Sequence, residues 1–418
     1  MMAKTQTLKR RDLGRLRRIA LNAQGLLHKV PFGLGLSGAR KAIEHIGYVQ
    51  IDTISVVQRA HHHVLHTRVP NYHPDMLNKM LKERSIFEYW SHAASFLPMQ
   101  DYRFSLLHRT DLINRRRRWF EDRDENMIRD ILRRVEQDGP IRSRDLEDPH
   151  TKRKGWWNWK PAKRALEQLY FEGDLMVTHR DGFQKAYDLT ERVLPTSVDT
   201  SIPTYDEYAI HLIDQQVRCH GLVTRKGITY MRTNTELKAS VMREVEHRLA
   251  TGQFTDVHLP DGHNYLLRTE SLDTATPKST NRLKILSPFD NAVIQRERLQ
   301  SLFAFDYLIE CYVPAAKRKF GYFSLPLIYQ AAFIGRIDCK AHRKTNLLEV
   351  RALQLEDNLK FSHTEVASAL IDAIKPFATF QGCEKICITH AQPQAFGRTL
   401  KRTLNQGDSR WVISTRNI

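Results

Sequence analysis

Gln50 and Asp52, separated by one residue, are the pair in this sequence whose types and spacing best suit chemistry. They lie in the β-branched stretch YVQIDTISVV, which predicts a short strand or an extended turn. Side chains alternate along a strand, so positions 50 and 52 would share a face. An amide and a carboxylate there can hold one water, which the carboxylate deprotonates, or stabilise an oxocarbenium ion. The alternative is that Asp52, which precedes a threonine, is a helix N-cap.

A histidine cluster follows, formed by His61, His62 and His63 together with His66. On a helix, His62 and His66 share a face, as zinc ligands four residues apart can. No HExxH motif or neighbouring CxxC pair completes such a site, so the sequence predicts no metal. His62 and His63 are instead predicted to contact phosphate or line the site, with simple packing as the alternative.

The aromatic segment FEYWSHAASFLP holds a third candidate set, Trp90 and His92. Aromatic side chains stack on nucleobases, and alternation along a strand places these two residues on one face, with Tyr89 on the other. The alternative is a hydrophobic strand that fills a core.

Basic residues form three further candidate clusters. One contains Arg116 and Arg117 in a run of four arginines, with a solvated helix end as its alternative. The second cluster contains Lys152, Arg153 and Lys154 and precedes two tryptophans, and the third contains Lys317 and Arg318 in VPAAKRKFGY. For Asp290 and Asp338 the sequence predicts structural roles, such as turn capping.

The net charge of the chain indicates the class of partner. Among 418 residues, 65 Lys and Arg outnumber 47 Asp and Glu, giving +18. A chain this basic is expected to bind a polyanion, because Lys and Arg contacts to phosphates release counterions. The alternative is a solvated basic surface. No apolar run approaches the roughly 20 residues that span a bilayer, so no membrane association is expected.

The five cysteines form no CxxC pair, which favours a reducing compartment. We therefore expect a cytoplasmic protein.

The elements around these residues predict an α+β fold, with tandem winged-helix modules followed by a β-barrel-like C-terminal domain. Three segments each run from helices into a hairpin, and Asp181-Gly182 is a clear hairpin signal. The predicted boundaries are 1–120, carrying Gln50 and Asp52, then 121–198, 199–270 and the strand-rich 271–418.

The Gln-Ile-Asp tripeptide resembles the Gln-hydrophobic-(Asp/Gln) motif of the YcaQ/AlkZ family of DNA glycosylases. The resemblance extends in order through most of the chain, in the blocks VQIDTISVVQRAHHHVLHTR, FEYWSHAASFLP, GDLMVTHRDGFQKAYDL, LSPFDNAVIQRERLQSLFAFDYLIECYVPAAKRKFGYFSLP and GRIDCKAHRK. The aspartate at the third position is similar to the Gln-x-Asp branch, of the enterobacterial YcaQ type, whereas another branch carries Gln-x-Gln.

This resemblance implies a bacterial, nucleoid-associated and monofunctional N-glycosylase, needing no cofactor or metal, that acts on N7-alkylated purines and interstrand crosslinks in double-stranded DNA. Gln50 and Asp52 would be catalytic, and a monomer is the default expectation. No lysine lies within the motif, which disfavours a Schiff-base lyase step.

Two other function classes remain open on residue types alone. A winged-helix regulator without catalysis fits the composition equally well, although no heptad pattern for dimerisation is evident. A nuclease would need clustered carboxylates for metal ions, and none lies near the basic segments.

Overall fold

The computed structural model describes residues 5–7, 12–115, 124–146, 161–259, 261–405 and 412–415, which form a mixed α/β fold. The chain divides into two compact units, one made of Met1–Tyr72 with Ala209–Ile418 and the other of His73–Tyr208. The boundaries of the four predicted modules do not coincide with those of the two units, since the segment 1–120 contains residues of both, and the modules stay a prediction. No helix in the described ranges is long and apolar enough to cross a membrane.

The first part of the larger unit is mainly helical. Its elements are β1 (Thr5–Thr7), α1 (Leu13–Ala23), α2 (Gly35–Ile46), β2 (Val49–Gln50) and α3 (Ala60–Arg68). The buried face of α1 carries Leu16, Ile19 and Ala20, at the spacing expected for a helix on a core. The predicted helix through the histidine cluster is confirmed as α3, whereas residues 51–55 have no regular structure.

The smaller unit contains two hairpins among helices. Its elements are α4 (Asp75–Lys82), β3 (Ile86–Trp90), β4 (Ala94–Pro98), α5 (Tyr102–Arg115), α6 (Glu125–Asp138), β5 (Ile141–Arg142), α7 (Pro161–Glu172), β6 (Leu175–Asp181), β7 (Gln184–Leu189) and α8 (Thr190–Val193). The predicted hairpin is confirmed, because Asp181 pairs with Gln184 and Gly182 has a φ of +60°. Its sheet order is β5-β7-β6.

A buried carboxylate ties the two hairpins of this unit together. Glu88 on β3 is 2% exposed and accepts hydrogen bonds from Arg180 of β6 at 2.8 and 2.9 Å. The ammonium of Lys185 on β7 lies 2.9 Å from the same carboxylate. These cations lower the pKa of Glu88, although burial alone would raise it.

The larger unit resumes within helix α9 (Tyr205–His220), which contains the unit boundary. The elements that follow are β8 (Leu222–Val223), α10 (Arg225–Ile228), α11 (Thr235–Ala250), β9 (Phe254–His258) and β10 (Asn264–Arg268). The strands form a sheet of order β1-β9-β10-β8, in which β1 from the start of the chain pairs in parallel with β9. The two predicted strands flanking Asp261-Gly262 are confirmed as β9 and β10.

The C-terminal region forms a mixed seven-stranded sheet with helices. Its elements are β11 (Leu283–Ile285), α12 (Arg296–Phe303), β12 (Ser324–Tyr329), β13 (Ala332–His342), β14 (Leu347–Leu355), α13 (His363–Phe380), β15 (Lys385–Ile388), β16 (Ala391–Gln392), α14 (Gln394–Asn405) and β17 (Val412–Thr415). In the described residues the sheet order runs from β11 through β12, β13, β14 and β15 to β17, with β16 beside β14. The predicted strand-rich character of this region is confirmed, whereas its barrel-like closure is not shown by this strand order and stays a prediction. Because β14 and β15 pair in parallel, a crossover is needed, and α13 supplies it.

Candidate active site

Gln50 and Asp52 occupy different backbone environments. Gln50 is the last residue of β2, while Asp52 lies in an irregular segment, and both are half-buried. The Oδ1 of Asp52 accepts a hydrogen bond from the backbone N–H of Ile54 at 2.7 Å, which forms an Asx-type turn. Strand alternation therefore does not extend through Asp52. The N-cap alternative is not realised, because the next helix begins at Ala60 and its N-cap is Arg59.

The carboxyl group of Asp52 has an altered acidity. Burial raises its pKa, while the hydrogen bonds from the backbone of Ile54 and Thr53 oppose that rise. A half-buried carboxylate with a raised pKa is a better proton acceptor than an exposed one, and it is still reachable by a substrate. Its surroundings therefore fit the role of a general base.

The segment 306–314, far along the chain, carries Cys311 and Tyr312, whose acidities are both affected by the charge of Asp52. Partial burial raises the pKa of the Cys311 thiol, and the nearby charge of Asp52 raises it further. The same charge contributes to the raised pKa of Tyr312, after desolvation and the Cys311 thiol. Sequence reasoning missed both residues. The signal for the segment lay in FAFDYLIEC, where Phe305, Tyr307 and Ile309 alternate with polar or outward-facing positions.

Two buried carboxylates fix the loop that follows this segment. Glu310, 5% exposed, accepts hydrogen bonds from the backbone N–H groups of Lys319 at 2.8 Å and Phe320 at 2.6 Å. Asp338 on β13 accepts from the N–H groups of Tyr322 at 3.2 Å and Phe323 at 3.1 Å. The predicted turn-capping role of Asp338 is confirmed by these contacts.

The two predicted basic residues of this loop, Lys317 and Arg318, lie in different environments. Lys317 ends a short 3-10 turn, Ala315–Lys317, and is exposed. Arg318 is half-buried, donates from Nε to the carbonyl oxygen of Val313 at 2.8 Å and lies 4.9 Å from the ring centre of Tyr322. Phosphate contact by exposed Lys317 stays a prediction, while Arg318 braces the loop.

The histidines of α3 pack within the larger unit. His62 hydrogen-bonds through Nδ1 with the Tyr72 hydroxyl at 2.8 Å. His63 is 1% exposed, and its Nε2 lies 2.9 Å from the carbonyl oxygen of Ile285. Its burial lowers the pKa to about 4, so it is neutral at pH 7. DNA contact by His63 has no support from this position, whereas DNA contact by half-buried His62 stays a prediction. In the described ranges, no three His, Cys, Asp or Glu side chains form a metal-binding group.

A fully buried ion pair joins α3 to the loop after β11. Arg68 donates to both oxygens of Asp290, at 2.7 and 2.8 Å, and also to the carbonyl oxygen of Gln24 at 2.8 Å. Asp290 accepts a further hydrogen bond from the N–H of Ala292 at 2.9 Å, so its predicted structural role is confirmed. This pair fixes the helix that follows the Gln50–Asp52 segment.

The other predicted residues lie elsewhere. Trp90 ends β3 in the smaller unit and is 41% exposed, and half-exposed His92 lies in the turn before β4. Tyr89 is buried and donates from its hydroxyl to the carbonyl oxygen of Phe171 at 2.8 Å. The predicted alternation does not describe this strand, because Glu88 and Tyr89 are both buried and His92 lies beyond its end. The remaining five predicted residues, Arg116, Arg117, Lys152, Arg153 and Lys154, lie outside the described residues.

The larger unit contains a cavity of about 620 Å³, and its lining residues differ from those of the Gln50–Asp52 site. His66, Thr67, Lys284 and Phe377 are among its lining residues, whereas neither Gln50 nor Asp52 is. The ammonium of Lys284 donates to the carbonyl oxygen of Thr67 at 2.8 Å, and burial lowers its pKa to about 7.

Comparison with known proteins gives two matches. The family model described as DNA glycosylase AlkZ-like matches residues 43–380, a range that includes Gln50, Asp52 and Tyr312. Among solved structures, the Streptomyces sahachiroi DNA glycosylase AlkZ is similar, with a TM-score of 0.56 and 14% sequence identity. The match covers 93% of this chain and 100% of that one, and it shows a shared fold.

Proposed function

Since the chain belongs to the DNA glycosylase AlkZ-like family, we propose that it hydrolyses the N-glycosidic bond of N7-alkylated purines in double-stranded DNA. The same reaction at a crosslinked base would unhook an interstrand crosslink. The observation that carries this proposal is the half-buried Asp52 carboxylate, held by the Ile54 N–H and with a raised pKa, two residues after Gln50.

The chemistry of the lesion explains why so few residues suffice. An N7-alkylated guanine is already cationic, so it leaves the sugar without strong protonation. The remaining tasks are to place a water and to stabilise positive charge on the sugar. In the proposed mechanism Gln50 orients the water by hydrogen bonding. Asp52 stabilises the oxocarbenium ion and accepts the water's proton as the oxygen bonds to the sugar carbon.

We infer that the enzyme is monofunctional, acts as a monomer and uses no cofactor. A lyase step would need an amine at the sugar carbon. Lys284 has the lowered pKa that such an amine would need, but it lines the cavity described above, which neither Gln50 nor Asp52 lines. The amine of Lys284 is therefore not assigned to the reaction.

The experiment that tests this function is product analysis with two defined duplexes, one carrying N7-methylguanine and one a nitrogen-mustard crosslink. The proposal expects free alkylated base and an uncut abasic strand from the first, and separated strands from the second. Borohydride added during the reaction should trap no protein–DNA adduct. A trapped adduct would contradict the monofunctional proposal. Tight DNA binding without base release from either duplex would favour a non-catalytic DNA-binding protein.

A further inference from the structure

We propose that Tyr312 stacks within the DNA duplex beside the lesion, filling space in the base stack next to the nucleotide on which Asp52 acts. This inference rests on the proposed function, because it assigns a specific task to a residue of the same candidate site. It identifies the partner surface as the face of a nucleobase.

The exposure of Tyr312 is the first support. At 80%, it is the most exposed large apolar or aromatic side chain in the ranges that the structure describes. Leu308, four residues earlier, is 49% exposed, while its neighbours Tyr307 and Ile309, and Phe305 before them, are buried. The segment thus buries one set of side chains and presents another to solvent. An outward-facing aromatic ring is the kind of group that stacks on bases without sequence preference.

The second support is that Tyr312 and the proposed general base, Asp52, lie on segments that pack on one core. Ile54 from the Asp52 turn, and Cys311 beside Tyr312, both pack on one core cluster that includes Val57 and Ile309. The two segments are therefore anchored on the same core. The charge of Asp52 also acts on the Tyr312 hydroxyl, which agrees with this placement.

Rigidity of the supporting loop is the third support. The carboxylate of Glu310 holds the N–H groups of Lys319 and Phe320, and that of Asp338 holds those of Tyr322 and Phe323. A side chain on such a loop is presented with little conformational entropy left to lose on binding. The same loop carries exposed Lys317, whose ammonium suits a phosphate next to the stacked base.

A chemical role for the Tyr312 hydroxyl is the alternative to stacking. Desolvation, together with the neighbouring Cys311 thiol and the charge of Asp52, raises the pKa of the Tyr312 hydroxyl and keeps it protonated at neutral pH. Stacking needs the ring alone, whereas proton donation needs the hydroxyl. Tyr312→Phe and Tyr312→Ala therefore separate the two roles, and an exposed position tolerates both changes.

The test uses the full-length protein and a duplex with 2-aminopurine beside a tetrahydrofuran abasic analogue, so its readout is independent of catalysis. We expect wild-type protein and Tyr312→Phe to quench or shift the 2-aminopurine fluorescence at saturating concentration, and Tyr312→Ala to lose that change. Excision of N7-methylguanine, measured in parallel, should fall at least about tenfold in kcat/KM for Tyr312→Ala and largely recover for Tyr312→Phe. Ile202→Ala, which removes a side chain 60% exposed in the smaller unit, is the matched control and should change neither readout.

Three results would overturn the stacking role: no fluorescence change with bound wild-type protein, an unchanged signal with Tyr312→Ala, or equal loss in Tyr312→Phe and Tyr312→Ala. Failure of the proposed function would look different. In that case wild-type protein would release no base, while the fluorescence would still report whether Tyr312 stacks.

Discussion

At the residue scale, the acidity of Asp52 connects its local structure to the proposed chemistry. Half-burial raises its pKa from the ordinary value of 3.8, so the protonated form persists to a higher pH than in an exposed aspartate. The proposed mechanism needs the carboxylate. Burial therefore has two opposite effects on Asp52. It makes the carboxylate a stronger base, and it lowers the fraction of the side chain that is ionised at a given pH.

The first prediction concerns the pH dependence of excision. Because the active form is deprotonated, the single-turnover rate should fall as pH decreases through the raised pKa of Asp52. The acid limb should lie above the pH expected for an unperturbed carboxyl group. Base release measured from pH 3.5 to 8 gives this profile. A rate of base release that does not fall toward low pH in this range would show that Asp52 is not the general base.

The sequence located this pair but not its surroundings. Gln50 and Asp52 were recognisable from their spacing and the blocks around them, whereas the alternation argument fails at the Asx-type turn of Asp52. Cys311 and Tyr312 could not be assigned to the site, because their proximity depends on long-range packing on a shared core. His63 was predicted as a contact residue, yet its imidazole is buried, since local periodicity does not show which face of α3 packs on the sheet.

At the element scale, the ion pair of Arg68 and Asp290 holds α3 in place. Both side chains are fully buried, and the arginine also donates to the carbonyl oxygen of Gln24. Removing one partner leaves the other buried without compensation.

The second prediction follows from this pair. Arg68→Met should lower the free energy of unfolding by roughly 3–5 kcal/mol. Urea denaturation measures the change. The control is Arg40→Ala, which removes an exposed ion pair with Glu44 and should cost less than about 0.5 kcal/mol beyond helix propensity. Equal effects of the two variants would show that the buried pair does not hold α3.

The third prediction concerns the loop that presents Tyr312. Gly321 has a φ of +112°, and a Cβ there would overlap the carboxylate of Asp338, which holds the Tyr322 and Phe323 amides. Gly321→Ala should therefore displace the loop and reduce excision at least about tenfold. Gly252→Ala is the matched control, since Gly252 has a φ of +75° with nothing within 4 Å of an added Cβ. Excision is measured for both variants. Equal losses of activity in Gly321→Ala and Gly252→Ala would contradict this account.

Elements with a strong local signal were the predictable part of the fold. The hairpin at Asp181-Gly182 follows from turn chemistry, and the strands β12, β13 and β14 follow from short apolar runs. The parallel pairing of β14 with β15 was missed, because it depends on a crossover and leaves no local trace in the sequence. The pairing of β1 with β9 was also missed, since a three-residue strand depends on a partner far along the chain.

At the scale of the whole molecule, charge is the property that the sequence conveys most directly. The excess of 65 basic over 47 acidic residues agrees with a DNA substrate for a member of a DNA glycosylase family. The grouping of residues 1–72 with 209–418 in one compact unit was not predictable, because the chain leaves that core and returns to it.

The fourth prediction concerns salt dependence. Lys317→Ala should weaken DNA binding and reduce the slope of log K against log salt concentration by about 1, the contribution of one phosphate contact. Alanine at Lys152, Arg153 and Lys154 together should reduce the slope further. Fluorescence anisotropy at several salt concentrations measures both slopes. An unchanged slope in either variant would remove those residues from the DNA interface.

The most direct test of the central claim compares wild-type protein with Asp52→Asn, measuring N7-methylguanine release under single-turnover conditions and DNA binding in parallel. We predict that Asp52→Asn binds the same duplex within about twofold but loses nearly all base release, with unfolding stability equal to or above wild type because a half-buried charge has been removed. Base release by Asp52→Asn at the wild-type rate would contradict the account.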